Sequence, residues 1–233
     1  MGAKNSHMKI GKRDEDPLVP GHYYLFNWVK PYLKNSKVLD VGCWTGPMEI
    51  LLSKVKCTVS GIDIEEEPLI YARKRFPKFM FKKASVSEAL PFKKNEFDVV
   101  LFFMVIEHIA KGTEVKALEN INRVMRKDGT LFINTMHNNP VSNILDPAYF
   151  LGHRHYSRPE LEAFLKKAGF QVEEVKYNAG FFTSFYIYLL YFFKHVLRKK
   201  EPRFKIVDRL MELDYKNHGF IEIDIRARKT KNL

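Results

Sequence analysis

At 233 residues, with 45% hydrophobic and 28% charged side chains, the chain is long enough for one domain with a full core and too mixed in composition for extended disorder. With only two cysteines, Cys43 and Cys57, it has neither a disulfide framework nor a CxxC metal knuckle, and a reducing cytoplasm is the default expectation. The net charge of +12 suits an anionic partner, whether nucleic acid, an anionic membrane face or a phosphorylated compound, or serves solubility alone.

Residues 1–7, MGAKNSH, read as an appended expression leader, and no charged-then-apolar signal follows them. The stretch 8–35 is expected to cover the fold: LVPGHYYLFNWVKPYL is aromatic and helical in period, with Pro31 bending or breaking the helix near its end. A first strand at 36–41 runs through Asp40 into the loop of VLDVGCWTG and then into a helix at about 47–54. Gly42 and Gly46 let the backbone turn tightly and approach a ligand, and the helix presents its N-terminus there. The result is a cradle shaped for a nucleotide, although the spacing is not GxGxxG.

CTVSGIDI gives a second strand ending in Asp63, and EEEPLIYARKRF a helix with acids in its first turn and bases in its last. KFMFKKA is a third strand, and the apolar run EFDVVLFFMV suits a central parallel strand buried on both faces. GTEVKALENINRVMRKDG reads as a helix ended by Gly129, TLFINTM as a fifth strand. SRPELEAFLKKAGF opens with a capping-box pattern, Ser157 and Glu160, and ends at Gly169. FQVEEVKY and FIEIDIRARK supply the sixth and seventh strands. The alternation predicts an α/β fold with right-handed crossovers and an antiparallel edge.

An aromatic helical insert is expected at about 180–218, where nine of the 32 aromatic residues fall between Tyr177 and Phe193. Its apolar run, Phe181 to Phe193, is shorter than the roughly 20 residues a membrane span needs. Lys194, Arg198, Lys199, Lys200, Arg203 and Lys205 follow directly. Two readings stand: a helix packed on the core or on another subunit, and a lid that dips into an anionic membrane surface.

VLDVGCWTG, GIDI, LPFKKNEFDVVLFFMVIEHI, RVMRKDGTLFI and YSRPELEAFLKKAGFQVEEV, in that order, resemble the class I S-adenosylmethionine-dependent methyltransferases, in particular the ubiquinone-type and small-molecule subgroup. The resemblance spans about 36–177, with the seventh strand beyond, and implies a methyltransferase domain over 36–233. It also implies a Rossmann-like, seven-stranded, mostly parallel sheet with helices on both faces and an antiparallel last strand. S-adenosylmethionine would be the cofactor and S-adenosylhomocysteine the product. Asp40, Gly42, Cys43, Trp44 and Gly46 would pass its methionine part, Asp63 would bind the ribose hydroxyls, and Ile64 would lie against the adenine. A carboxylate at the tip of a strand can accept both ribose hydroxyl hydrogens; its bland alternative is to cap the next helix. Two departures stand out. Trp44 replaces the usual middle glycine, and KASVSEALPF lacks the acid that would take the adenine amine, leaving Ser85 or a carbonyl beside Val86.

Methyl transfer needs alignment, exclusion of water and sometimes a base. His108, with Glu107 in IEHI, is the candidate base, the alternative being that this pair caps the next helix; Met104 is a pocket wall. Tyr23, Tyr24 and Trp28 would either close over the sulfonium or pack as covering side chains. His137, His153 and His155 have no cysteine or carboxylate at ligand spacing, so no metal is expected. The expected acceptor is a small, hydrophobic or lipid-like molecule, the enzyme cytoplasmic or peripheral at a membrane. RNA or tRNA methylation and a non-catalytic scaffold are the alternatives, and the sequence leaves the oligomeric state open.

Overall fold

The computed structural model describes residues 18–198, 204–216 and 219–231; the leader at 1–7 and Lys199, Lys200 and Arg203 lie outside them. The strands are β1 Lys37–Val41, β2 Thr58–Asp63, β3 Met80–Lys83, β4 Phe97–Phe103, β5 Met125–Met136, β6 Phe170–Asn178 and β7 Glu222–Lys229. They form one sheet in the order β3-β2-β1-β4-β5-β7-β6. The contacts among β1 to β5 are all parallel, and β7 runs antiparallel to both β5 and β6. Between β1 and β4 the strand order reverses, and the space beyond the carboxyl ends of these strands is where sheets of this topology bind ligands.

β4 is central and buried on both faces, as its apolar run predicts. Val100 and Phe102 point into the core covered by α4 Glu114–Val124 and α6 Arg158–Lys167. Val99 and Leu101 point the other way, toward α1 Pro20–Val29 and α2 Pro47–Leu52. Each such buried side chain contributes roughly 1.5–3 kcal/mol. At Pro31 the first helix passes into a 3-10 turn, Lys30–Tyr32, and α3 Glu66–Arg75 carries acids and bases at the expected ends. The capping box of Ser157 and Glu160 forms at the start of α6.

One expected boundary is wrong. α4 ends at Val124, well before Gly129, because fully buried Met125 already pairs with Phe97 as the first residue of β5. The left-handed residue is Asp128 (φ +62°), and Gly129 serves a close approach instead, since a Cβ there would lie 2.9 Å from the Arg126 carbonyl oxygen. α5 Pro140–Leu145 and the turn Tyr149–Leu151 have no counterpart in the sequence reading.

The insert is helical: α7 Phe181–Tyr191, a π-turn Phe192–Val196 and α8 Lys205–Lys216. Asp214 of α8 accepts hydrogen bonds from Thr183 N at 2.7 Å and Thr183 Oγ1 at 2.9 Å, and the Tyr188 hydroxyl donates to the Ile144 carbonyl at 2.8 Å. Among the described residues no helix is long and apolar enough to cross a membrane.

Candidate active site

The glycine loop is pinned to the neighbouring strand by the Ile62 carbonyl, which accepts from Gly42 N at 2.7 Å and Cys43 N at 3.0 Å. Gly42 is left-handed (φ +81°), and a Cβ there would lie 2.3 Å from Val105 Cγ2, so the position demands glycine. Trp44 also takes the left-handed conformation, φ +50°, and its backbone N donates to Asp63 Oδ2 at 2.9 Å. The loop therefore keeps the path a glycine would give it. The indole is half-buried and joins none of the buried apolar clusters of the described residues. Cys43 is buried, and burial pushes its thiol far up, so it packs as an apolar group.

Asp40, Glu49 and Asp63 form a buried acidic group around this loop. Burial and then Asp63 push the Asp40 carboxyl up to about 7, and burial raises Asp63 as well. Glu49, on the first turn of α2, is fully buried beside Asp40; burial and then Asp40 raise it strongly. A dry cluster of acids beside a tight, glycine-dependent loop fits a ligand carrying a cationic amino-acid end. Glu49 carried no signal in the sequence beyond its place in a helix. Asp63 accepts from Glu65 N at 2.9 Å just ahead of α3, whose N-cap has no side-chain cap bond, and it keeps acceptor capacity for a ribose hydroxyl. Ile64 is 61% exposed at the lip of the crevice, free to cover an adenine face. The Val86 side chain is buried in the core and its carbonyl accepts from Asn120 Nδ2 at 2.9 Å, while the Ser85 hydroxyl accepts from Ser87 N at 3.3 Å.

Beyond β4, Met104 is again left-handed (φ +52°), with its N donating to the Asn134 carbonyl at 2.8 Å. Glu107 is buried, which pushes it up to about 7 against the pull of Thr135, His153 and Arg154; its Oε2 accepts from Thr135 Oγ1 at 2.9 Å. His108 does not cap the next helix, which begins only at Glu114. Its Nε2 lies 3.2 Å from His153 Nε2, and His153 Nδ1 lies 3.4 Å from Asp146 Oδ2. Desolvation, His153 and Arg154 hold the His108 imidazole below its usual range, so it is neutral at pH 7. Arg154 clamps the turn through Glu114 and the carbonyls of Ile106 and Ile109, and the Tyr156 hydroxyl adds a 3.0 Å bond to Ile106 O. The Glu107–His108 pair and the His153–Asp146 pair come from distant parts of the chain, the two histidines lying 45 residues apart, which spacing in the sequence could not show.

Tyr24 and Trp28 behave as packing residues. The Tyr24 hydroxyl donates to Asp224 Oδ2 at 3.0 Å, and Trp28 sits edge-on to Phe132 with its Nε1 donating to Glu174 Oε2 at 2.9 Å. Tyr23 is exposed.

A family model described as a methyltransferase domain matches residues 19–175. The chain belongs to the S-adenosylmethionine-dependent methyltransferases. This methyltransferase is 29% identical over 190 residues to a ubiquinone biosynthesis O-methyltransferase of Dechloromonas aromatica, a match that covers 70% of this chain and 81% of that one. Over 165 residues it is 30% identical to a probable S-adenosylmethionine-dependent methyltransferase of Mycolicibacterium smegmatis, covering 70% and 63% of the two chains. The solved structure of geranyl diphosphate methyltransferase in complex with S-adenosylmethionine shares the fold, with a TM-score of 0.63 at 15% identity over 90% of this chain and 84% of that one. S-adenosylmethionine is therefore the cofactor of this methyltransferase, and the buried acids and glycine loop fit it.

Proposed function

We propose that this methyltransferase acts on a small, hydrophobic or lipid-like acceptor drawn from an anionic membrane surface. One observation carries the reading: α7 is turned inside out. Its buried residues are Thr183, Ser184 and Tyr186, while Phe181, Phe182 and Phe185 face outward. Ile144 of α5 and Phe150 and Leu151 of the following turn are likewise more than 60% exposed, and Ile144 is tied by the Tyr188 hydroxyl to α7. Arg198 and Lys205 flank it. An apolar face of this kind, rimmed by bases, suits contact with lipid.

When bound, the cofactor supplies an electrophilic methyl group. Asp63 would hold the ribose hydroxyls, Asp40 and Glu49 the cationic amino-acid end, and Met104 would wall the crevice. At the acceptor side the Glu107–His108–His153 cluster is the place where a hydroxyl or acidic carbon would lose its proton. As a neutral imidazole His108 can receive it, and Asp146 behind His153 favours the positive charge that results.

The test is release of S-adenosylhomocysteine with organic-solvent extracts of cells, compared with aqueous extracts and with tRNA. Turnover with the solvent extract, and a higher KM at unchanged kcat in the double variant Phe185→Ser/Phe192→Ser, is the expected result. Turnover only with the aqueous or RNA fraction overturns the proposal.

A further inference from the structure

We propose that Glu107, His108 and His153 bind one divalent transition-metal cation of the zinc class, in a site with an open coordination position facing the acceptor. The three side chains offer ligand atoms that all lie within 4.8 Å of one another. The 3.2 Å between His108 Nε2 and His153 Nε2 is close to the edge of a tetrahedron with metal–nitrogen bonds of about 2.0–2.1 Å, which is about 3.3 Å. Without a metal, the two ring nitrogens meet face to face with room for a single hydrogen between them.

Glu107 provides the independent observation. It is 3% exposed, its Oε2 is engaged by Thr135, and its Oε1 has no hydrogen-bond partner. An orphaned carboxylate oxygen beside two converging imidazole nitrogens lacks a cation. Two histidines and one carboxylate form a donor set that holds zinc with a position left open.

Outer partners support the arrangement. Asp146 Oδ2 faces His153 Nδ1, fixing the tautomer that leaves the Nε2 lone pair toward His108. Asp146 is itself held by His155 Nε2 and Ala148 N, each at 2.9 Å. A second grouping, Asp146 with His153 and His155, also has its donor atoms close together. There the carboxylate is already satisfied, so Asp146 is the orienting acid and Glu107 the ligand. Arg154, whose charge is felt at Glu107 and His108, is ion-paired with Glu114.

Binding of the metal stands apart from the acceptor reading; its use in catalysis rests on that reading with His108 as a metal ligand in place of the proton acceptor, since a hydroxyl in the open position would become more acidic. The test is calorimetric titration of Zn2+ into EDTA-treated protein, without cofactor or acceptor, and the visible spectrum after Co2+ substitution. One equivalent is expected to bind, with a cobalt band of low coordination number. Glu107→Gln and His153→Ala should each weaken Zn2+ at least about tenfold, with unchanged melting temperature and unchanged S-adenosylmethionine affinity, while His155→Ala keeps the site with a smaller loss. No saturable binding, binding indifferent to Glu107→Gln, or binding abolished by His155→Ala and not by Glu107→Gln overturns it. Loss of methyl transfer with Zn2+ binding intact would instead strike the acceptor reading.

Discussion

Trp44 occupies a backbone conformation that costs an L-residue roughly 1–2 kcal/mol, at φ +50° in the middle of the cofactor loop. Trp44→Gly is therefore expected to be more stable than Trp44→Ala by about 1 kcal/mol, measured by urea denaturation, because only glycine removes the strain. Equal stability would mean that the loop relaxes away from this geometry. Positions set by local structure were legible in the sequence: Gly42 and Asp63 sit at strand ends marked by apolar runs and turn residues. Glu49 was not, since an acid in the first turn of a helix looks like an ordinary dipole partner. The pairing of His108 with His153 was equally hidden, because a connection of helix, strand and loop separates them.

At the scale of elements, Lys229 shows why a helix boundary was misread. Its side chain is buried at the far end of β7, and Nζ donates to the carbonyls of Asn122 and Met125, each at 2.7 Å, and to Asn95 Oδ1 at 3.1 Å. A cation from the last strand thus satisfies the end of α4, a role for which Gly129 was the local candidate. Lys229→Met should cost about 2–4 kcal/mol in chemical denaturation, since it leaves buried carbonyls unpaired; a loss below about 0.5 kcal/mol would show that water replaces the ammonium. The alternation of strands and helices followed from the apolar runs; the strand order did not, and the antiparallel strand expected at an edge is β7, one in from the edge strand β6. The outward-facing phenylalanines of α7 did not, because a helix that is apolar nearly all round gives no hint of which face is buried.

For the whole molecule, the buried acids between β5, β7 and α1 tie stability to pH. Burial pushes Glu222 up to about 7 from 4.5, although Asn134 Nδ2 donates to it at 2.9 Å. Between these two values the native state holds a proton that the unfolded chain has released, so stability falls as pH rises through that window. Wild type should lose stability from pH 5 to pH 8, and Glu222→Gln should reduce that loss by about 1–3 kcal/mol. An unchanged pH slope in the variant would place the titration elsewhere. Burial likewise raises the acids at the glycine loop, where a cationic cofactor would relieve it.

Calorimetric titration of S-adenosylmethionine into wild type and Asp63→Ala tests the cofactor site most directly. Saturable binding by wild type, weakened about 10- to 100-fold in Asp63→Ala by loss of the charged contacts to the ribose hydroxyls, is the predicted result. Absence of binding to wild type at millimolar cofactor, or equal affinity in the two proteins, would contradict the account.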